Sequence, residues 1–108
     1  MTSVATIKKN VISALEDIKG FDIIDLDVRK LTSITDYMII ASASSTRQTR
    51  ALAKSVHDKM KELNIEILGI EGENEGDWRL VDIGNIIVHI MTPTTRAYFN
   101  LEELWSKS

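Results

Sequence analysis

The sequence predicts a mixed α/β domain, in which helices pack on a five-stranded mixed sheet. Segments with apolar residues at helical spacing alternate with short runs rich in Ile and Val, in the order α-β-β-α-β-β-β-α. The central strand–helix–strand segment has the form of a βαβ crossover, so its two strands are expected to be parallel. Shorter breaks join the first two and the last two strands, which we expect to be antiparallel. Residues 1–108 contain neither a linker nor a repeat, and therefore form one domain.

An apolar stripe predicts the first helix, with Thr2 or Ser3 as its cap and Gly20 as its stop. Its buried face is expected to contain Val4, Ile7, Val11, Ala14, Leu15 and Ile18.

Two strands follow the first helix. In FDIIDLDV, Ile24, Leu26 and Val28 form an apolar face, and Asp25 and Asp27 share the opposite face. The run LTSITD is a polar break. YMIIASA is apolar on both faces, which is typical of an interior strand.

The second helix is expected to open at Ser44 or Ser45 and to end near Asn64. Its buried stripe is predicted to comprise Leu52, Ala53, Val56, Met60 and Leu63.

Three short strands and a closing helix complete the prediction. The strands are IEILGI, WRLVD and IIVHIM, with a turn at residues 83–85 between the last two. Pro93 is expected to end the last strand. NLEELW predicts a short helix with Asn100 as its cap and Glu103 three residues further on.

Composition limits the classes of function. The chain has no cysteine, which excludes disulfides, thiol nucleophiles and zinc sites with cysteine ligands. The net charge is −3, so contact with nucleic acid must be local, or the partner is a basic protein. No signal peptide, transit peptide or apolar run of roughly 18 residues occurs. We therefore expect a soluble cytoplasmic protein that does not enter a membrane.

The pair Asp25 and Asp27 resembles the D-x-D strand with which nucleotidyltransferases hold a divalent metal. The glycine-serine turn that would bind phosphates is missing, so a strand with one solvated face is favoured. His57 and His89, without cysteine, do not indicate a metal site, and His89 is interpreted as structural. No serine has the context of a nucleophile elbow. We predict no catalytic residue, no bound metal and no cofactor.

The acidic segment has part of the spacing of a calcium-binding loop. Glu71, Glu73 and Glu75 alternate, and Asp82 falls at the twelfth position of such a loop. However, a calcium loop begins with the short side chains of Asp or Asn and ends with Glu, whereas this segment begins with Glu and ends with Asp82. Strands rather than helices also flank it. A solvated acidic connection is the preferred interpretation.

Two surfaces are candidates for binding. Trp78, Leu80 and Asp82 share one strand face, where Trp78 is either an anchor for a basic protein partner or part of the core. A basic stripe on the second helix, beside His57, is either a solvated face or a local contact to phosphate. The stripe contains Arg47, Arg50, Lys54 and Lys61.

From about Ile7 to Trp105, the chain closely resembles the ribosomal silencing factor family, the RsfS proteins of bacteria and the related Iojap proteins of plants. The resemblance lies in TDYMIIASASSTRQTRALA and GDWRLVDIGNIIVHIMTPTTRAYFNLEELW. Its first motifs are T-D before an apolar strand and S-x-x-R-Q at the start of a helix. The later motifs are G-[DE]-W-x-L-x-D-x-G, followed by an apolar strand that contains V-H, and R-x-[FY]-[FY]-x-L-E-x-L-W at the end. The matching residues are Thr35, Asp36, Arg47, Gln48, Gly76, Trp78, Leu80, Asp82, Gly84, His89, Arg96, Leu101, Glu102 and Trp105.

The resemblance implies a fold similar to that of nucleotidyltransferases without the catalytic set. It also implies binding to a ribosomal protein on the intersubunit face of the 50S subunit, a steric block of association with the 30S subunit, and repression of translation. The matching tryptophan belongs to the family's binding surface. The predicted partner-binding residues are Asp77, Trp78, Leu80, Asp82, Arg96 and Tyr98.

Three hypotheses remain open. The first is the interaction module just described, with a local contact to rRNA through Arg47 and Arg50, and with a homodimer left open. The second is a metal-dependent enzyme that uses Asp25 and Asp27. The third is a direct RNA-binding module.

Overall fold

The computed structural model describes residues 2–72 and 76–106, which form nine helices and strands. In chain order these are α1 (Val4–Asp17), β1 (Phe21–Asp27), β2 (Tyr37–Ser42), α2 (Thr46–Glu62), β3 (Gly69–Glu71), β4 (Trp78–Asp82), β5 (Ile86–Met91), α3 (Pro93–Phe99) and α4 (Leu101–Ser106).

The five strands form one mixed sheet in the order β1-β2-β5-β4-β3, which confirms the predicted fold class. β1 is antiparallel to β2, β2 is parallel to β5, and the β5/β4 and β4/β3 pairs are antiparallel. β2 and β3 therefore run in the same direction, as predicted, but β5 and β4 lie between them. β2 and β5 are the most completely buried strands, so they need neighbours on both sides and occupy the interior of the sheet.

The two faces of the sheet bury two different apolar clusters. α1 and α2 cover one face, where Ile39, Val81 and Val88 are inaccessible to solvent. The opposite face contains Val28, Met38, Ile40 and Met91, against which Ile24, Leu26, Trp78, Leu101 and Trp105 pack. Alternate residues of β2, β4 and β5 thus supply both clusters, as the period of a strand requires.

The helix starts confirm the predicted caps. Ser3 accepts a hydrogen bond from the Thr6 amide, and Ser45 accepts one from the Gln48 amide. α2 ends one residue before the C-cap Leu63, and Asn64 then takes the left-handed conformation. In α1 the left-handed residue is Lys19, and the predicted stripe extends one residue too far, since Ile18 is exposed.

The C-terminal region differs most from the prediction. Pro93 follows β5 but also occupies the first turn of α3, a helix that the sequence patterns did not predict. Proline is favourable there because its missing N–H has no intrahelical acceptor to bond. Asn100, at φ 47°, then separates α3 from α4. The predicted strand IEILGI is also shorter, with only Gly69 and Ile70 from that run paired in β3.

Within residues 2–72 and 76–106, no helix combines the length and the apolar character needed to cross a membrane.

Candidate protein-interaction surface

β4 presents Trp78, Leu80 and Asp82 on the sheet face opposite α1 and α2, which confirms that the three share a face. Their partners on β5 are Met91, His89 and Ile87 respectively. The alternate β4 residues, Arg79 and Val81, are buried on the other side. Leu80, Asp82 and Ile87 are only half-buried. This part of the face therefore remains accessible to a partner.

Trp78 is fixed by a hydrogen bond to His89. Its indole Nε1 donates to His89 Nδ1 at 2.9 Å. Burial lowers the pKa of His89 to about 4, so at neutral pH the ring is uncharged and Nδ1 acts as the acceptor. His89 is 6% exposed, and its structural role is confirmed.

The rings of Trp78, Phe99 and Tyr98 pack in succession, with exposure to solvent increasing from Trp78 to Tyr98. The Phe99 ring lies 4.8 Å from that of Trp78, and the Tyr98 ring packs edge-on at 5.0 Å from Phe99. Trp78 is half-buried, whereas Phe99 is 49% and Tyr98 is 81% exposed. Trp78 thus packs on the core and supports more exposed rings, while its role as an anchor for a partner stays a prediction. We call Trp78, Phe99 and Tyr98 the aromatic patch.

Phe99 was not among the predicted site residues. The signal that could have identified it is the [FY]-[FY] pair of the C-terminal motif, which places two aromatic residues in succession. Only the position of Trp78 in space shows which of the two stacks on it. Their exposure follows from the end of α3, where consecutive residues point in different directions around the helix.

Arg96, three residues before Phe99 on α3, is bonded within the chain. It is 9% exposed, makes hydrogen bonds to both carboxylate oxygens of Glu102, and donates from Nη1 to Ser42 Oγ at 2.8 Å. These contacts are all within the chain. A direct role of Arg96 in partner binding stays a prediction.

Carboxylates flank the open face. Asp77 and Glu71 are exposed, and Glu71 lies opposite Leu80 in the β3/β4 pairing. Asp82 Oδ1 accepts a hydrogen bond from the Gly84 amide at 2.8 Å, which stabilises the β4–β5 turn. Of the residues considered for calcium, Glu73 and Glu75 lie outside the described residues.

Asp25 and Asp27 lie together on the face of β1 next to Tyr37 and Ile39, as predicted. Each is already paired with a cation. Lys8 Nζ is 3.0 Å from Asp25 Oδ2, and Arg29 Nη2 is 2.6 Å from Asp27 Oδ2. The Arg29 hydrogen bond lowers the pKa of Asp27 to about 2. A divalent metal at this pair would have to compete with both cations.

The two arginines proposed for RNA contact lie near the start of α2. Arg47 and Arg50 are exposed, whereas Lys54, further along the helix, pairs with Asp58 at 2.8 Å. Gln48, next to Arg47, donates from Nε2 to the Ile18 carbonyl at 2.8 Å. Within the R-Q motif, Gln48 therefore connects α2 to the end of α1, whereas the Arg47 side chain is exposed.

The chain is thus a small α/β protein with an exposed aromatic patch beside exposed carboxylates. The family model described as "Ribosomal silencing factor during starvation" matches residues 2–108. The chain therefore belongs to the ribosomal silencing factor family.

Relatives from distant bacteria and from a eukaryote support this assignment. The chain is 52% identical over 99 residues to ribosomal silencing factor RsfS of Chromobacterium violaceum, covering 92% of this chain and 81% of the relative. It is 35% identical to the RsfS of Bacillus subtilis, covering 93% and 85% of the two chains. It is 33% identical to the mouse protein named mitochondrial assembly of ribosomal large subunit protein 1, covering 89% of this chain and 43% of that one.

Two crystal structures share the fold. A protein from Chromobacterium violaceum superimposes with a TM-score of 0.95 at 48% identity, over 99% of this chain and 89% of that chain. A protein from Bacillus halodurans gives a TM-score of 0.84 at 30% identity, over 94% of both chains.

Proposed function

We propose that this protein binds a ribosomal protein on the intersubunit face of the 50S subunit, sterically blocks association with the 30S subunit and so represses translation. The observation that carries the proposal is the aromatic patch beside the half-buried Leu80 and Ile87. Exposure of several neighbouring aromatic side chains to water is energetically unfavourable, and such clusters are typical of interface hot spots.

The charge around the patch indicates the kind of partner. Asp77, Glu71 and Asp82 form an acidic border, and the whole chain carries a net charge of −3. A basic protein surface complements this arrangement, and ribosomal proteins supply such surfaces because they also contact rRNA phosphates. Rim carboxylates should mainly accelerate association, whereas the apolar centre should determine how long the complex lasts.

The size of the protein is sufficient for a steric block. Its principal extents are 37 × 33 × 22 Å. A body whose smallest dimension is 22 Å, held on the intersubunit face, prevents direct contact between the subunits around it. No chemical step is needed, so repression is proposed to act through occupancy alone, in the cytoplasm.

Catalysis is not part of the proposal. Both Asp25 and Asp27 are committed to ion pairs with Lys8 and Arg29. Their carboxylates are therefore neutralised by the chain's own cations, which disfavours the binding of a metal ion beside a triphosphate.

A local contact to rRNA is proposed for the start of α2, where Arg47 and Arg50 are exposed. Arg47→Glu should weaken binding to ribosomal subunits, and Lys61→Glu, at the other end of the helix, should not. The affinities are compared at two salt concentrations, because loss of one phosphate contact reduces the salt dependence. An equal effect of both variants would instead favour RNA contact along the whole helix.

Sedimentation through sucrose gradients with purified subunits tests the proposal. The protein should move with the large subunit but not with the small one, and prior addition should prevent formation of the 70S peak. Failure to sediment with the large subunit would refute the proposal. Tight binding to naked RNA with a steep salt dependence, or magnesium-dependent nucleotide turnover, would support one of the other two hypotheses instead.

A further inference from the structure

Arg96 on α3 and Glu102 on α4 lie on either side of the connection between the two helices, and Phe99 is the last residue of α3 before it. The guanidinium contacts both carboxylate oxygens, with Nε at 3.1 Å from each and Nη2 at 3.0 Å from Oε2. Arg96 is anchored in turn by Ser42 at the end of β2. Such a bidentate, charge-assisted contact fixes the relative orientation of the two groups as well as their distance.

α4 depends on tertiary contacts. It has only six residues, none of them fully buried, and a helix this short is not stable in isolation. Leu101 and Trp105 pack on the second apolar cluster, and Glu102 is the α4 residue that bonds to Arg96. The ion pair thus joins α4 to α3 and, through Ser42, to the sheet.

In sequence, Phe99 lies between Arg96 and Glu102. The backbone reverses at Asn100 in the left-handed conformation, and the Asn100 amide bonds to the Arg96 carbonyl at 2.9 Å. Phe99 is 49% exposed, so packing holds only part of its surface. Its position depends on how the turn between Arg96 and Glu102 is held.

We propose that the Arg96–Glu102 ion pair is a clasp that positions Phe99 on Trp78 and so preorganises the aromatic patch for its partner. The proposal rests on the proposed function for the identity of that partner. In this proposal Arg96 and Glu102 act as positioning residues, through their effect on Phe99. Without the clasp, binding would have to order the turn, and that ordering reduces affinity.

The main test substitutes Glu102→Gln, which preserves shape but removes the charge and one acceptor. Glu103→Gln is the matched control, because Glu103 is on the same short helix, is exposed, and its carboxylate accepts a hydrogen bond from Asn100 rather than from Arg96. We expect Glu102→Gln to weaken binding to large subunits about tenfold. Glu103→Gln should leave the affinity within about twofold, as surface changes usually do.

A double-mutant cycle separates positioning from a general structural effect. In a Phe99→Leu background the ring to be positioned is gone, so Glu102→Gln should cost less than about twofold further affinity. An equal loss in both backgrounds would overturn the proposal. Ser42→Ala offers a second, milder perturbation of Arg96 and should weaken binding in the same direction.

A measurement on the free protein keeps this inference distinct from the proposed function. The Phe99 ring lies 4.8 Å from the Trp78 ring, so its ring current makes the NMR signal of the Trp78 indole N–H a probe of the position of Phe99. This signal should shift in Glu102→Gln and Ser42→Ala but not in Glu103→Gln. If the wild type failed to bind large subunits, the proposed function would be refuted, and this signal would still test the clasp. An unchanged signal in Glu102→Gln would show that no clasp exists.

Discussion

Tyr98→Ala is the substitution that best separates binding from folding. Tyr98 is 81% exposed, and its described ring contact is with Phe99. An aromatic side chain can bury about 200 Å², so about 160 Å² of Tyr98 is available to a partner. At about 25 cal/mol per Å², that area could contribute up to about 4 kcal/mol to binding.

Part of this upper limit will not be realised, because the hydroxyl end remains solvated at the rim of many interfaces. We therefore expect a loss of at least about 2 kcal/mol, or about thirtyfold in Kd, when large subunits are titrated with labelled protein. The midpoint of urea unfolding should change by the equivalent of less than about 0.5 kcal/mol, since truncation of an exposed side chain leaves no cavity.

Ile34→Ala is the matched control. Ile34 is 79% exposed and lies in the β1–β2 connection, beyond the Tyr37 end of β2. α3 begins at the opposite end of the sheet, where Ser42 pairs with Met91. Ile34→Ala should change neither stability nor affinity. Binding of Tyr98→Ala within twofold of wild type would refute the assignment of the surface, and an equal loss in Ile34→Ala would show that exposed apolar area alone explains the effect.

Three further predictions concern Trp78, His89 and the Asp25/Asp27 pair. Trp78→Ala should abolish co-sedimentation and also lower the free energy of unfolding by about 2–4 kcal/mol, measured by thermal denaturation, because packing and the His89 hydrogen bond are lost together; unchanged binding would exclude Trp78 as an anchor. Burial lowers the folded pKa of His89 from 6.5 to about 4, so between these values the unfolded chain binds a proton that the folded protein does not. Stability should fall by up to about 3 kcal/mol as the pH decreases through this window, and His89→Asn, which keeps an acceptor near the position of Nδ1, should flatten the dependence in urea titrations; a wild-type profile without slope would contradict this. Asp25→Ala combined with Asp27→Ala should leave ribosome binding intact, and metal-dependent nucleotide transfer that the wild type performs and this variant lacks would overturn the non-catalytic interpretation.

Strand and helix positions were predictable where the local pattern and the tertiary environment agree. The caps at Ser3 and Ser45 act within one turn, so the sequence is sufficient to locate them. The pairing of β2 with β5 is different, because it joins residues 37–42 to residues 86–91. Hydrophobic pattern shows that both strands are interior, but it does not show which strands are adjacent.

Prediction of the candidate surface had a similar limit. Alternation in WRLVD was enough to place Trp78, Leu80 and Asp82 on one face. Phe99 was missed because α3 was missed: proline after a strand favours termination, and the same residue also favours the first turn of a helix. Arg96 was predicted from its motif to bind a partner, which stays a prediction, but the motif did not show that its guanidinium bonds to Ser42 and Glu102 within the chain.

The geometry of Trp78 also limits how a partner can bind it. Its only hydrogen-bonding group, Nε1–H, is already donated to His89. A partner therefore gains nothing by offering a carbonyl or carboxylate acceptor to the indole, and must use the remaining ring surface. Aliphatic side chains satisfy this requirement, and so do Arg and Lys, whose cations are attracted to aromatic faces. The same cations are complementary to Asp77 and Glu71 at the rim, which are exposed. The internal hydrogen bond and the acidic rim thus favour the same kind of partner, a basic protein surface with long side chains. Both features disfavour a partner whose surface is acidic.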